Sequence, residues 1–151
     1  MKPAYDKTYL REAQRNLPRL LDYMTNDLHY PLETAWKHFL DTSLSRRFEV
    51  GDCSIVAGRS GVELAWCVLE ELGIPNDYTE PSYAFERSPE YWTGWALAYY
   101  QWESGLRFAE IEAAVSITEV CHLYTPYHEM DIRQFVDRMN ELYQAAKQRQ
   151  G

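Results

Sequence analysis

Cysteine is scarce in this chain: Cys53, Cys67 and Cys121 are three in 151 residues. An odd number without Cys-x-x-Cys spacing argues against both a disulfide framework and a four-ligand zinc site, and predicts free thiols. Long apolar runs are missing too. Nothing approaches the roughly 20 residues needed to cross a bilayer, and the opening MKPAYDKTYLREAQ lacks a signal-peptide core, so a cytoplasmic location is expected. Neither Gly-x-x-x-x-Gly-Lys nor Gly-x-Gly-x-x-Gly occurs, which removes the common nucleotide phosphate cradles. The nearest approach to a nucleophile elbow, Gly58-Arg59-Ser60-Gly61-Val62, lacks its last glycine.

Basic residues thin out along the chain. Residues 1–50 hold eight Lys or Arg against seven Asp or Glu, whereas residues 51–151 hold seven against sixteen, so +1 and −9 make the net charge of −8. A field of that sign repels phosphate backbones and attracts basic surfaces, which disfavours direct nucleic-acid binding and favours a basic protein partner.

Aromatic residues are abundant, and the densest stretch is Ser88 to Gly105, where six of the twelve residues from Tyr91 to Trp102 are aromatic. Ser88 suits an N-cap, Pro89 the first helical position, Glu90 the positive end of the dipole, and Gly105 a left-handed stop. Trp92, Trp95, Tyr99 and Trp102 are spaced by three, four and three residues, one stripe of a helix. The expectation is a central aromatic helix whose rings are buried as packing.

Other helices are punctuated as clearly. Leu10 to Leu28 is helical in period, and Pro18 predicts a kink or a junction of two short helices. Tyr30-Pro31-Leu32-Glu33 opens a helix expected to run to about Ser45. Ser60 with Glu63 and Ser116 with Glu119 form capping boxes, the first opening a helix from Gly61 to Leu72, with Gly73 as its stop. Thr125-Pro126 is expected to end the helix begun at Ile117, and a closing amphipathic helix is expected from about His128 to Lys147. Residues 46–59 are irregular, with Ser54-Ile55-Val56-Ala57 a short strand candidate. No repeat or linker divides the chain. The reading is one all-α domain over residues 1–151: six or seven short helices, orthogonally packed around the aromatic helix, with room for one short strand or hairpin near residues 48–58.

Chemistry is less legible. Cys121, His122, His128, Glu129 and Asp131 fall within eleven residues, yet adjacent helical residues point about 100° apart and Pro126 separates the two groups. An acid-rich first turn of the closing helix explains His128, Glu129 and Asp131 as well, so no metal and no cofactor are expected. An enzyme using His128 with Glu129 or Asp131 as acid/base pair is a minor alternative. The joint at Ser116 could suit a helix-turn-helix, but the reader segment ITEVCHLY carries no Arg or Lys. Glu63, Glu70, Glu71, Asp77, Glu80, Glu86 and Glu90 could instead array carboxylates as a mimic of nucleic acid, or simply form solvated faces.

Three stretches together, VAGRSGVEL at residues 56–64, SPEYWTGWALAYYQW at 88–102 and YTPYHEMDI at 124–132, resemble a family of small bacterial proteins. That family is common in gut Firmicutes and mobile elements and occurs in toxin–antitoxin-like clusters beside ADP-ribosyltransferase-like toxins. The likeness spans about residues 20–145; the cysteines and the lead into Pro18 are not features of that family. It implies a small protein that acts by binding another protein, and it carries over no catalytic residue. The expected function is therefore a non-enzymatic acidic binding module, antitoxin-like or accessory, with a mobile-element inhibitor of a nucleic-acid-processing defence enzyme, of the anti-CRISPR kind, as the alternative. The expected contact residues are Asp77, Tyr78, Glu80, Tyr83 and Glu86 of the non-periodic loop, with Arg59, Tyr127, His128 and Glu129.

Overall fold

A computed structural model describes residues 2–82 and 87–150. A 3-10 turn at Lys7–Tyr9 leads into α1 (Leu10–Asp22), which passes into a π-helical turn at Tyr23–Asp27. There follow α2 (Leu32–Leu40), α3 (Ser43–Glu49), α4 (Cys53–Val56), α5 (Gly61–Glu71), α6 (Pro89–Ser104), α7 (Phe108–Ala114), α8 (Ile117–His122), α9 (Tyr124–Tyr127) and α10 (Ile132–Gln150). The protein is all-helical, and one contiguous core takes buried side chains from every α-helix except α9, whose Tyr124 and Tyr127 pack against its edge.

The punctuation forms as its local chemistry dictates. Ser60 Oγ accepts from the Glu63 amide at 3.1 Å while the Ser60 amide donates to Glu63 Oε1 at 2.9 Å. Ser116 and Glu119 close the same reciprocal box at 3.2 Å each way. At α6 the Ser88 hydroxyl accepts from the Tyr91 amide at 3.0 Å, and Gly105 stops the helix at φ 73°.

There are more helices than the six or seven expected, because several corners are themselves helical turns. The strand candidate at residues 54–57 belongs to α4. Asp52 Oδ1 accepts from the Ser54 amide at 3.0 Å, and this cap outweighs the strand preference of Ile55-Val56. Asn16 Nδ2 then donates to the Val56 carbonyl at 2.7 Å, so that peptide has no need of a neighbouring strand. The helix opened by Leu32 breaks at Asp41–Thr42 rather than reaching Ser45. Both carboxylate oxygens of Glu71 on α5 accept from the Ser43 amide, at 3.1 and 3.0 Å, and start α3 separately. Pro126 does not end the helical path either: it is the third residue of α9, in the first turn, where no amide donor is required. The closing helix starts at Ile132, capped by Asp131 Oδ1 accepting from the Arg133 amide at 2.8 Å, four residues later than expected.

Pro18 sits inside α1, which runs on through it as one helix. Its ring is buried where α1 crosses α6, and Gly94 makes the approach possible. A Cβ at Gly94 would lie 2.5 Å from Pro18 Cα, so only glycine fits. The irregularity shows up one turn later, in the π-helical turn, where the Leu28 amide donates to the Tyr23 carbonyl at 3.0 Å.

The closeness of that crossing corrects the expectation for the aromatic stripe. The most deeply buried residues of α6 include Thr93, Gly94, Ala96, Leu97, Ala98, Tyr100 and Gln101, mostly small or medium side chains. Trp92 is also buried, but Trp95, Tyr99 and Trp102 are only partly so. Trp102 Nε1 donates to the Tyr5 carbonyl at 2.8 Å and ties down the N-terminal segment. The sealed aromatic cluster lies elsewhere: Trp36 and Phe39 of α2, Phe48 of α3 and Phe108 of α7, with ring centroids 5.3 to 6.1 Å apart.

Candidate functional site

The loop from Ile74 to Ser88 has no helical period, yet its described part is fixed to the body at several points. Trp66 Nε1 on α5 donates to the Tyr23 hydroxyl at 3.1 Å, and that hydroxyl donates to the Thr79 carbonyl at 2.6 Å. The Ser82 amide and hydroxyl donate to the Asp27 carboxylate. At the far end the Ser88 hydroxyl donates to Asp22 Oδ1 at 2.6 Å. Side chains of α1 and of the π-helical turn therefore hold the loop down over α5.

Tyr78 is the residue this arrangement presents. It is 53% exposed and its backbone takes φ 50°, a left-handed conformation rare for a tyrosine. The Tyr78 amide donates to Asn76 Oδ1 at 3.0 Å, which supports the turn. Its hydroxyl donates to Glu70 Oε1 at 2.7 Å, and its ring stands edge-on to Trp66 at 5.2 Å. The Glu70 hydrogen bond, followed by the Glu70 charge, pushes the phenol's pKa up. The ring is thus oriented without being covered. Asp77 and Glu80 flank it, both exposed.

The remaining expected contact residues divide. Arg59 is exposed beside the same helix, donating to Cys67 Sγ at 2.7 Å. Tyr127, His128 and Glu129 lie at the α9 corner. Tyr127 is partly buried against the core, and the Glu129 side chain is 86% exposed. Tyr83 and Glu86 lie outside the described residues. His128 stacks on Tyr124 with centroids 4.1 Å apart, its Nδ1 2.7 Å from the Tyr124 carbonyl and its Nε2 3.5 Å from Glu129 Oε1. Among the described residues no three His, Cys, Asp or Glu side chains gather in a metal-binding group.

The seven carboxylates suggested as a mimic of nucleic acid are less free than their sequence positions imply. Glu63 and Glu71 cap helices, Glu70 holds Tyr78, and Glu90 accepts from Asn26 Nδ2 at 3.1 Å. Glu86 lies outside the described residues, which leaves Asp77 and Glu80 beside Tyr78.

What sequence reasoning missed is a groove of about 270 Å³ between the start of α6 and the α8–α9 corner, lined by Arg87, Ser88, Tyr91, Trp92, Trp95, Tyr124 and His128. Its signals were the four-residue spacings of Tyr91 with Trp95 and of Tyr124 with His128; the juxtaposition of α6 with α8 and α9 is tertiary. Comparison with protein-family models, with curated proteins and with solved structures yields no match.

Proposed function

We propose that this chain is a protein-binding module that engages a basic surface of its partner through Tyr78 and the flanking carboxylates Asp77 and Glu80. One observation carries the reading: an exposed tyrosine held in a left-handed turn by Glu70, Trp66 and Asn76. A large ring that is already ordered loses little conformational entropy on docking, and tyrosines so placed carry a disproportionate share of interface energy. Acidic flanks on a chain of net charge −8 steer a basic partner toward it. Among the described residues no helix is long and apolar enough to cross a membrane, which suits a partner met in the cytoplasm. The resemblance to antitoxin-like proteins supplies the partner class, a toxin encoded by a neighbouring gene.

The test is co-expression with the product of the adjacent gene, followed by calorimetric titration. A stable complex should form, and Tyr78→Ala should weaken it about 30-fold, equivalent to about 2 kcal/mol. Asp77→Lys with Glu80→Lys should slow association and flatten its dependence on salt. A complex indifferent to all three substitutions would refute this contact surface, and no complex at all would refute the partner class.

A further inference from the structure

The groove at the start of α6 is a local exception in an acidic protein. Its lining holds the rings of Tyr91, Trp92, Trp95 and Tyr124, the Ser88 hydroxyl and two side chains able to carry positive charge, and no carboxylate. Arg87 sits with its guanidinium carbon 4.6 Å from the Tyr91 ring centroid. Among the described residues no carboxylate pairs with it. Ser88 is already committed, donating to Asp22 and accepting from the Tyr91 amide. His128 is committed at Nδ1 to the Tyr124 carbonyl and faces Glu129 with Nε2. Arg87 is therefore the group with donors to spare. Trp92, buried and edge-on to Tyr124 at 5.9 Å, belongs to the rigid core rather than to a movable rim.

We infer that this groove binds a planar aromatic molecule bearing a single anionic group, its ring against Trp92, Trp95 and Tyr124 and its anion at Arg87. Stacking on aromatic side chains holds a planar ring, and a guanidinium–anion contact fixes the orientation. The volume, about 270 Å³, lies just below the usual range for ligand pockets and suits one or two fused rings. A four-ring site would otherwise suit a quaternary ammonium, but Arg87 repels a cation there. A polyanion such as nucleic acid reaches well beyond the groove and is repelled by a chain of net charge −8. The anion can be a carboxylate, as on an indole or phenyl acid, or the phosphate of a nucleoside monophosphate. This inference does not depend on the role given to Tyr78, which belongs to a different surface.

The test follows the tryptophan indole N–H signals by NMR while the protein is titrated separately with indole-3-acetate, adenosine monophosphate and tryptamine. At least one of the two anions should bind saturably and shift the Trp95 signal, and whether the carboxylate or the phosphate binds more tightly identifies the source. Tryptamine, with the same ring and the opposite charge, should bind at least about tenfold more weakly than the tighter anion. Arg87→Gln should cost the anion about tenfold, the loss of one charge-assisted contact. Circular dichroism should show that variant folded, as expected for an exposed side chain. Absence of saturable binding by either anion up to about 5 mM overturns the inference. So does tryptamine binding as tightly as the anion, or an Arg87→Gln variant with unchanged affinity.

Discussion

Two groups of aromatic rings in this protein behave differently. Trp36, Phe39, Phe48 and Phe108 form a cluster at most 2% exposed, drawn from α2, α3 and α7. Tyr91, Trp95, Tyr99 and Trp102 lie along α6 and stay partly open to solvent. Three of the four sealed rings are phenylalanines, which have no polar atom to satisfy, whereas every ring on the open edge carries a hydroxyl or an indole N–H. Trp102 finds the Tyr5 carbonyl at 2.8 Å and Tyr99 approaches Arg133 at 3.5 Å. Phenols and indoles do best where one end is dry and the other meets a partner or water. The dense stretch on α6 is therefore divided, with Trp92 and Tyr100 in the core and the other four rings at its edge, whereas the dispersed Phe39, Phe48 and Phe108 lie in its interior.

Deleting a ring from each group gives the sharpest contrast. Phe108→Ala should cost about 4 kcal/mol in urea unfolding, since the cavity opens among three other rings with little means to collapse. Trp95→Ala should cost about 1 to 2 kcal/mol, because much of the removed surface already meets water. Equal losses would erase the distinction.

A smaller effect concerns pH on the closed side. Glu112, one turn beyond Phe108 on α7, accepts from the Ile117 amide at 2.8 Å. Burial pushes its carboxyl up to about 7 from an ordinary 4.5, with the Ile117 hydrogen bond pulling the other way. The fold thus favours the protonated acid. That contribution to stability is complete below about pH 4.5 and is lost as pH rises through about 7. Glu49, buried against the Phe108 amide, is pushed up by burial in the same sense. Glu112→Gln keeps an oxygen acceptor for Ile117 but never ionises. It should match the wild type near pH 4.5 and exceed it at pH 8, by about 1 kcal/mol once partial solvent access is allowed for, seen as a rise in Tm of about 2–4 °C. A gain of the same size at both pH values would show that charge is not the cause.

The helix boundaries fixed by one residue and its near neighbours were readable in advance: Ser60 with Glu63, Ser88 with Pro89 and Gly105, Ser116 with Glu119. Some boundaries that failed are set locally, as at Asp52 and Asp131, whose caps compete with other nearby signals; others are set from a distance. Glu71 starts α3 from another helix, and Asn16 on α1 satisfies Val56, so that no strand is needed there. Of the candidate contact residues, Tyr78, Asp77 and Glu80 could be named because they stand outside any period. Their support by Tyr23, Trp66 and Asp27 could not, nor could the meeting of Arg87 with Tyr124 and His128.

The amino-acid sequence by itself determined the all-helical class and the ends of α5 and α6, because those caps and stops are made by atoms within a turn of one another. Tertiary structure decided which rings are sealed and which stay open. That choice depends on how closely two helices approach, and here it turns on Gly94 meeting Pro18, residues 76 positions apart.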